Sequence, residues 1–255
     1  MRLREGDKAM FANLPRRIIP LAVVAGSTLG LTGCFDLAQK VALHRDGSGA
    51  YAIAVSANGI VGRGLNKHDS DINIGNDNPR GVKTVTRHGD VTTETNEVAF
   101  RDLSDLHLGD ETLSLHVIGR DGDGTRVAFH RSFQIDHARR DHEDDADRHF
   151  GHEVLQSMFG GHTYTFSVWL PGKIEHIAAV RLDGRTIAPT VWSDATGHTI
   201  VWNMPLPDMM LARQIDFDVA FAARGDFHDT RSQPNLSRHH RRHDDDDDGD
   251  NDESD

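Results

Sequence analysis

The chain has 255 residues and is acidic, with 28 Lys and Arg against 40 Asp and Glu and a formal net charge of -12. Such a charge argues against a nucleic-acid partner and against simple adsorption to anionic lipid, because both surfaces are themselves negative. Cys34 is the only cysteine, so no intramolecular disulfide can form. The fold must therefore be held together by burial alone, which a chain of this length can achieve.

The N-terminal region predicts a secretory signal. Two arginines precede an uncharged apolar stretch, residues 18–33, which is too short and too rich in Gly to span a bilayer comfortably. A basic start, a short apolar run and small residues before the junction are typical of signal peptides. Residues 31–34, Leu-Thr-Gly-Cys, look like a bacterial lipobox. We therefore expect a lipoprotein signal peptide over residues 1–33; the alternative is an ordinary buried cysteine in a first helix.

A lipobox implies that the thiol of Cys34 accepts a diacylglyceryl group and that the mature chain begins there. Each buried methylene contributes about 0.8 kcal/mol, so two or three acyl chains give stable anchoring. The expected partner is thus a membrane, reached through the lipid anchor. The expected location is the cell membrane or the outer membrane, with the protein facing the periplasm or the cell exterior. Met10 is an alternative start to Met1.

Three hairpins are predicted in the first half of the mature chain. Apolar residues alternate on both sides of the Asp-Gly-Ser-Gly turn at 46–49, and again on both sides of His88-Gly89-Asp90. The third hairpin turns at residues 119–124. In the second strand of this hairpin, Arg131 occupies a position where the alternation predicts an inward-facing apolar residue. It is therefore either a buried, paired arginine or is rotated outward by a bulge.

The second half adds one helix and further strands. Phe150, Val154 and Met158 recur every four residues, which predicts a helix over 147–161 with these side chains on its buried face. The segment 214–221 alternates cleanly between apolar and polar residues and predicts a strand. The expected fold is α+β, a mostly antiparallel sheet built from hairpins with one main helix packed on it. We expect one ectodomain over 34–223 and a disordered His/Asp-rich tail over 224–255.

Histidines offer two candidate metal sites. His149, His152 and Glu153 share one face of the predicted helix, with His142 nearby, but their order is not that of a zinc protease helix. We expect them at the edge of the buried face, with an envelope hydrolase as the alternative. The second candidate site lies in the tail, where a disordered, solubilising role is favoured over weak binding of a divalent metal. Its residues are His239, His240, His243 and Asp244.

Motifs for nucleophilic catalysis, phosphate binding and dinucleotide binding are missing from the mature sequence. We therefore expect a protein that is not an enzyme. A weakly bound divalent metal is the one cofactor that the sequence leaves open.

Four short segments resemble the LppM-like family of bacterial lipoproteins: "RDGSG", "FHRSF", "YTFSVWLPGKI" and "TIVWNM" before a final strand. The resemblance covers roughly residues 34–222. It implies an α+β ectodomain that is tethered to the membrane and has a role in the envelope and in glycolipid handling. None of the residues that carry it is catalytic in the family. These residues are Asp46, Gly47 and Gly49 in the first turn, Pro171 and Gly172 at a strand end, and Trp202.

The leading hypothesis is a non-enzymatic, membrane-anchored lipoprotein of the cell envelope that binds a lipid, a glycolipid or a protein partner. Trp169, Trp192 and Trp202 are the candidate ligand surface, because aromatic side chains supply contact area at low entropic cost. Core packing is the expected role of at least one of them. The alternative is a periplasmic metal-binding lipoprotein that acts through the His/Asp-rich tail.

Overall fold

The computed structural model describes residues 35–59, 81–109, 111–122, 124–134, 153–182 and 184–234. Several predicted features lie outside these ranges. They are the signal peptide 1–33, Cys34, His142, His149, Phe150, His152 and the tail residues His239, His240, His243 and Asp244.

The described residues are mainly β-strands. The strands are β1 (Phe35–Leu43), β2 (Gly49–Asn58), β3 (Gly81–His88), β4 (Val91–Phe100), β5 (His107–Leu108), β6 (Glu111–Asp121), β7 (Gly124–Gln134), β8 (Thr163–Pro171), β9 (Lys173–Ile177), β10 (Val180–Leu182), β11 (Arg185–Ile187), β12 (Thr190–Ser193), β13 (Gly197–Pro205), β14 (Gln214–Ala223), β15 (Thr230–Arg231) and β16 (Gln233–Pro234). Two helices, α1 (residues 153–159) and α2 (Leu206–Leu211), and a 3-10 turn (Leu103–Asp105) complete the described elements.

The strands form two large sheets that pack face to face. One has seven strands in the order β12-β13-β8-β1-β2-β4-β3, and the other has five in the order β15-β6-β7-β14-β9. Among the described strands of these sheets, only β1 and β8 pair in parallel. The expected class is confirmed: an α+β fold made mostly of antiparallel strands with one main helix. The buried face of the seven-stranded sheet is covered by the second sheet rather than by the helix.

The predicted hairpins are confirmed, because alternation and turn residues specify them locally. β1 pairs with β2 across the turn at 44–48, β3 with β4 across His88-Gly89-Asp90, and β6 with β7 across residues 122–123. The predicted strand 214–221 lies within β14. Its inward row is fully or almost fully buried, as alternation requires. This row consists of Ile215, Phe217, Val219 and Phe221.

Aromatic rings join the two sheets at the centre of the core. Phe166 and Trp202 come from the seven-stranded sheet, and their rings stack with centroids 5.6 Å apart. Phe217 of β14 contacts both, with centroids 4.6 Å from Phe166 and 5.1 Å from Trp202. Full burial of each such side chain contributes about 1.5–3 kcal/mol, so this layer is a main source of stability.

The chain passes from one sheet to the other at Pro171-Gly172, between β8 and β9. Gly172 has a φ of +83°, which favours glycine. A Cβ at this position would also lie 2.2 Å from the backbone oxygen of Ala222. The predicted strand end at these two residues is therefore confirmed, and it marks the crossing.

The main helix is present, but the prediction of its buried face is wrong. Residues 153–159 are helical, yet Val154 and Met158 are 39% and 64% exposed. Leu155 and Phe159 are half-buried, and Phe159 packs against the core. The reason is that the second sheet already covers the first, so the helix packs at the end of the sheet and buries only a narrow row.

The predicted start of the tail at residue 224 is also wrong. Phe227 is fully buried, and its ring lies 5.5 Å from that of Phe221. β15 then pairs with β6, and the hydroxyl of Ser232 accepts a hydrogen bond from the backbone N–H of Leu113. The folded region therefore extends at least through Gln233. Among the described helices, none has the length and apolar character needed to cross a bilayer.

Candidate functional site

Arg131 lies in the middle of β7 and points between the two sheets. It is fully buried and sits on the same inward row as Phe129 and Phe133. The register with β14 is continuous along this strand, and the irregularity in the pairing with β6 falls at Val117/Gly119 instead. Of the two alternatives left open by the sequence, the structure thus selects the buried, paired arginine.

A set of hydrogen bonds surrounds this guanidinium, and we call its members the buried polar cluster: Gln39, Tyr51, Glu111, Arg131 and Tyr164. Nε of Arg131 donates to Oε1 of Glu111 at 2.6 Å, and Nη2 donates to Oε1 of Gln39. The second oxygen of Glu111 accepts from the hydroxyl of Tyr51 at 2.9 Å and from Nε2 of Gln39 at 3.1 Å. The hydroxyl of Tyr164 donates to Oε1 of Gln39. Both sheets contribute, so the cluster ties them together.

Aromatic rings enclose the same guanidinium. The central carbon of Arg131 lies 4.2 Å from the ring centroid of Phe166, 5.1 Å from that of Phe217 and 5.7 Å from those of Phe133 and Tyr164. Such cation–π contacts reach about 2 kcal/mol each when they are desolvated. Nη1 is buried and has no hydrogen-bond partner within the described part of the chain. The aromatic faces and the carboxylate together offset the loss of water.

Arg131, Tyr51 and Tyr164 keep their protons within this cluster. Burial lowers the pKa of Arg131, but the charge and hydrogen bond of Glu111 and the neighbouring Tyr164 and Tyr51 together outweigh it, so the pKa rises. Burial raises the pKa of Tyr51 and of Tyr164, and the charge of Glu111 raises both further. At neutral pH both hydroxyls therefore remain protonated donors and the guanidinium remains charged. This arrangement suits a rigid structural or binding role better than proton transfer.

A half-open cleft of about 350 Å³ leads from the surface to Glu111. Its walls come from the start of β6 and from the C-terminal segment that packs along that strand. The lining residues are Gly109, Glu111, Thr112, Arg231, Ser232 and Gln233. Glu111, the partner of Arg131, is thus a lining residue of the cleft, although its side chain is almost fully buried.

The three tryptophans occupy different environments. Trp202 is fully buried beside Phe166, so its predicted place on a ligand surface is wrong; its size and apolar face make it a core residue. Trp169 is half-buried, and Trp192 is 46% exposed. Trp192 of β12 and Trp169 of β8 each pair with Thr199 of the strand between them, β13. The two indoles therefore lie on the same outward face of the sheet. With one strand between them, their backbones are about 10 Å apart.

The other predicted site residues have structural positions or lie outside the described ranges. Asp46 holds the first turn, because its carboxylate accepts from the backbone N–H of Ser48 at 3.1 Å and from its hydroxyl at 2.6 Å. Glu153 is exposed and is the first described residue of α1, while its predicted neighbours His149 and His152 are not described. Where side chains are described, no group of three His, Cys, Asp or Glu is placed to hold a metal ion.

Sequence reasoning found Arg131 but missed its partners. A usable signal was present, since Gln39 stands on the inward row of β1 between Leu37 and Val41. Glu111 likewise shares the parity of Leu113 in β6. Polar residues on an apolar row of two different strands predict a buried pair. The sequence could not say which residue each would meet, because Gln39 and Arg131 are brought together only by tertiary packing.

Comparisons with known proteins add little. No protein-family profile matches the chain, and no curated protein matches it. Its fold is similar to the NMR structure of the folded domain of the Mycobacterium tuberculosis LppM protein. The two are 12% identical over 78% of this chain and 95% of that chain, with a TM-score of 0.37. At these values we draw no functional conclusion from the likeness, and membership of the LppM-like family stays a prediction.

Proposed function

We propose that this chain is a non-catalytic lipoprotein of the cell envelope, anchored in a membrane through a lipid on Cys34. One observation carries the proposal: Phe35, the residue that follows Cys34, is already the first residue of β1. Its backbone N–H donates to Nδ1 of His162 at 3.0 Å, so the strand is fixed from its first residue.

The position of β1 supports direct attachment. Consecutive Cα atoms are 3.8 Å apart, so a lipid on Cys34 would hold the folded domain at the membrane surface without a flexible spacer. β1 is also an interior strand, hydrogen-bonded to β2 on one side and to β8 on the other. A tether at this strand would therefore be supported by backbone hydrogen bonds on both sides.

In this role the domain would bind a lipid, a glycolipid or a protein partner of the envelope. The outward face that carries Trp169 and Trp192 supports this part of the proposal, because two partly exposed indoles flank the small side chain of Thr199. Aromatic side chains of this kind supply much of the contact area in binding surfaces. The metal-binding alternative stays a prediction, since its tail residues lie outside the described ranges.

Metabolic labelling with an alkyne analogue of palmitate tests the anchor in cells that express the full chain. We expect label in the wild type and in Thr32→Ser, which keeps a small residue before the cysteine. Cys34→Ser should carry none. Equal labelling of Cys34→Ser, or an unlabelled wild type, would overturn the proposal.

A further inference from the structure

Helix α1 carries two rows of apolar side chains, and only one row packs against the protein. Leu155 and Phe159 are half-buried, whereas Val154 and Met158 are exposed. Residues four apart lie on the same face of a helix, so the two exposed side chains form one continuous row. Among the described residues of the helix, 153–159, Glu153 is the only charged one. The helix is therefore more apolar toward solvent than its packing requires.

This helix ends beside the start of β1. The ring of His162 lies between the two elements, with centroids 6.2 Å from Phe159 and 6.5 Å from Phe35. His162 also accepts the backbone N–H of Phe35. Because seven helical residues span only about 10 Å, all of α1 remains close to this point.

A third exposed apolar side chain lies at the same end of the sheet. Val91 begins β4 and is 40% exposed. It pairs with Asn58, the neighbour of Ala57, which itself pairs with Phe35. Val91 is thus two strands, or about 10 Å, from the strand that begins at Phe35. We call this end of the seven-stranded sheet the Phe35 end.

We propose that the exposed row of α1, Val154 and Met158, together with Val91, docks into the surface of the lipid bilayer. This inference rests on the proposed lipid anchor at Cys34. The anchor would bring the Phe35 end to the membrane. Interfacial helices bury their apolar face about 5–10 Å into the boundary between headgroups and acyl chains, a depth that these side chains can reach.

Lipid suits this surface better than a protein partner does. The single peptide bond between Cys34 and Phe35 leaves no length of chain that could hold the Phe35 end away from the bilayer. The acidic chain also cannot rely on attraction to anionic headgroups. Apolar contact is the interaction that remains, so docking should occur on uncharged phosphatidylcholine.

Spin labelling of the full chain tests the docking. Met158→Cys and Val154→Cys would be labelled with a nitroxide and reconstituted in phosphatidylcholine vesicles. Gln156→Cys is the matched control, because Gln156 is exposed and, two positions from both 154 and 158, lies on the opposite side of the same helix. Collisions with apolar oxygen and with a polar nickel complex report whether each label is in lipid or in water. We expect labels at 154 and 158 to favour oxygen several-fold more than the label at 156.

Three other outcomes would overturn the inference in distinguishable ways. One label per chain with equal accessibility at 156 and 158 would show an anchored domain that does not dock. A label at 158 that is shielded from both reagents would show that protein, including a second copy of the chain, covers the row. Two labels per chain would reveal a free thiol at Cys34, so the proposed anchor and the docking would fail together.

Discussion

The two ends of the seven-stranded sheet differ in what they present to the surroundings. At the end where β1 finishes, which we call the Leu43 end, three turns are built on the same motif. In each, an aspartate accepts hydrogen bonds from the backbone N–H and the hydroxyl of the residue two positions on. The pairs are Asp46 with Ser48, Asp102 with Ser104 and Asp194 with Thr196.

The Phe35 end exposes apolar side chains on α1 and at the start of β4, whereas the exposed Trp192 near the Leu43 end lies on the outward face of the sheet. Satisfied carboxylates are stable in water, whereas exposed Val and Met side chains are stabilised by an apolar surface. The two ends of the sheet are therefore suited to different surroundings. If a lipid holds the Phe35 end, the three aspartate turns lie on the side away from the membrane.

The largest expected effect concerns the buried polar cluster, which joins the sheets between these ends. Arg131→Met would leave Glu111 buried without its positive partner and should lower the free energy of unfolding by about 3–5 kcal/mol. Urea denaturation measures the loss.

The double variant Arg131→Met with Glu111→Leu is the control for that experiment. Replacing both members of a buried pair by apolar residues is often neutral, so it should regain most of the lost stability. If the double variant is as unstable as the single one, the cluster has another role than neutralising Glu111.

The two rows of α1 should respond differently to truncation. Phe159 packs on the core, so Phe159→Ala should lower the free energy of unfolding by about 1–3 kcal/mol. Met158→Ala should change it by no more than about 0.5 kcal/mol. Urea denaturation of the protein in detergent checks both. Equal losses would mean that the exposed row is needed for folding, which would weaken the contrast between the ends.

The aspartate turns should confer a pH dependence at the Leu43 end. Burial raises the pKa of Asp102, but hydrogen bonds from Ser104, Thr230 and His228 outweigh it and lower that pKa. Because the pKa of Asp102 is lower in the folded state, the ionised carboxylate stabilises the fold at pH values above the unfolded-state pKa of about 3.9. This stabilisation is lost as the pH falls through the folded-state pKa.

Asp102→Ala should therefore lower the free energy of unfolding by about 1 kcal/mol at pH 7, because Asp102 is also the N-cap of the 3-10 turn. The difference from wild type should shrink in acid. Asp90→Ala, in the exposed turn at the Phe35 end, is the control and should have little effect. A difference for Asp102→Ala that grows as the pH falls would contradict the assigned hydrogen bonds.

Zinc titration followed by calorimetry gives the smallest expected effect and tests the tail. Weak binding by the full chain should vanish in a chain that ends at Gln233. Truncation at Arg224 is unsuitable, because it would remove the buried Phe227. Equal binding by both chains would move any metal site into the folded region.

Local patterns predicted the parts of the fold that depend on local sequence. The hairpins and β14 follow from alternation and turn residues near one another in the chain. The parallel pairing of β1 with β8 could not be predicted, because their residues are more than a hundred positions apart. The face of α1 was mispredicted for a related reason: periodicity shows that a helix has an apolar side but not what covers it.

The candidate site was predictable only in outline. The inward position of Arg131 in the alternation of β7 indicated that its side chain could be buried. Gln39 has the same kind of position in β1, but the sequence analysis did not use it. The packing of residues 224–233 was missed because one aromatic residue, Phe227, accounts for most of its apolar burial. Sparse apolar composition was therefore a poor guide to where the folded region ends.

Intact-mass spectrometry of the protein purified from its native membrane tests the central claim most directly. The account predicts a chain that begins at Cys34 and carries the added mass of a diacylglyceryl group on its sulfur. A chain that retains residues 1–33 and a free thiol would contradict the anchor, the direction of the domain and the docking of its Phe35 end.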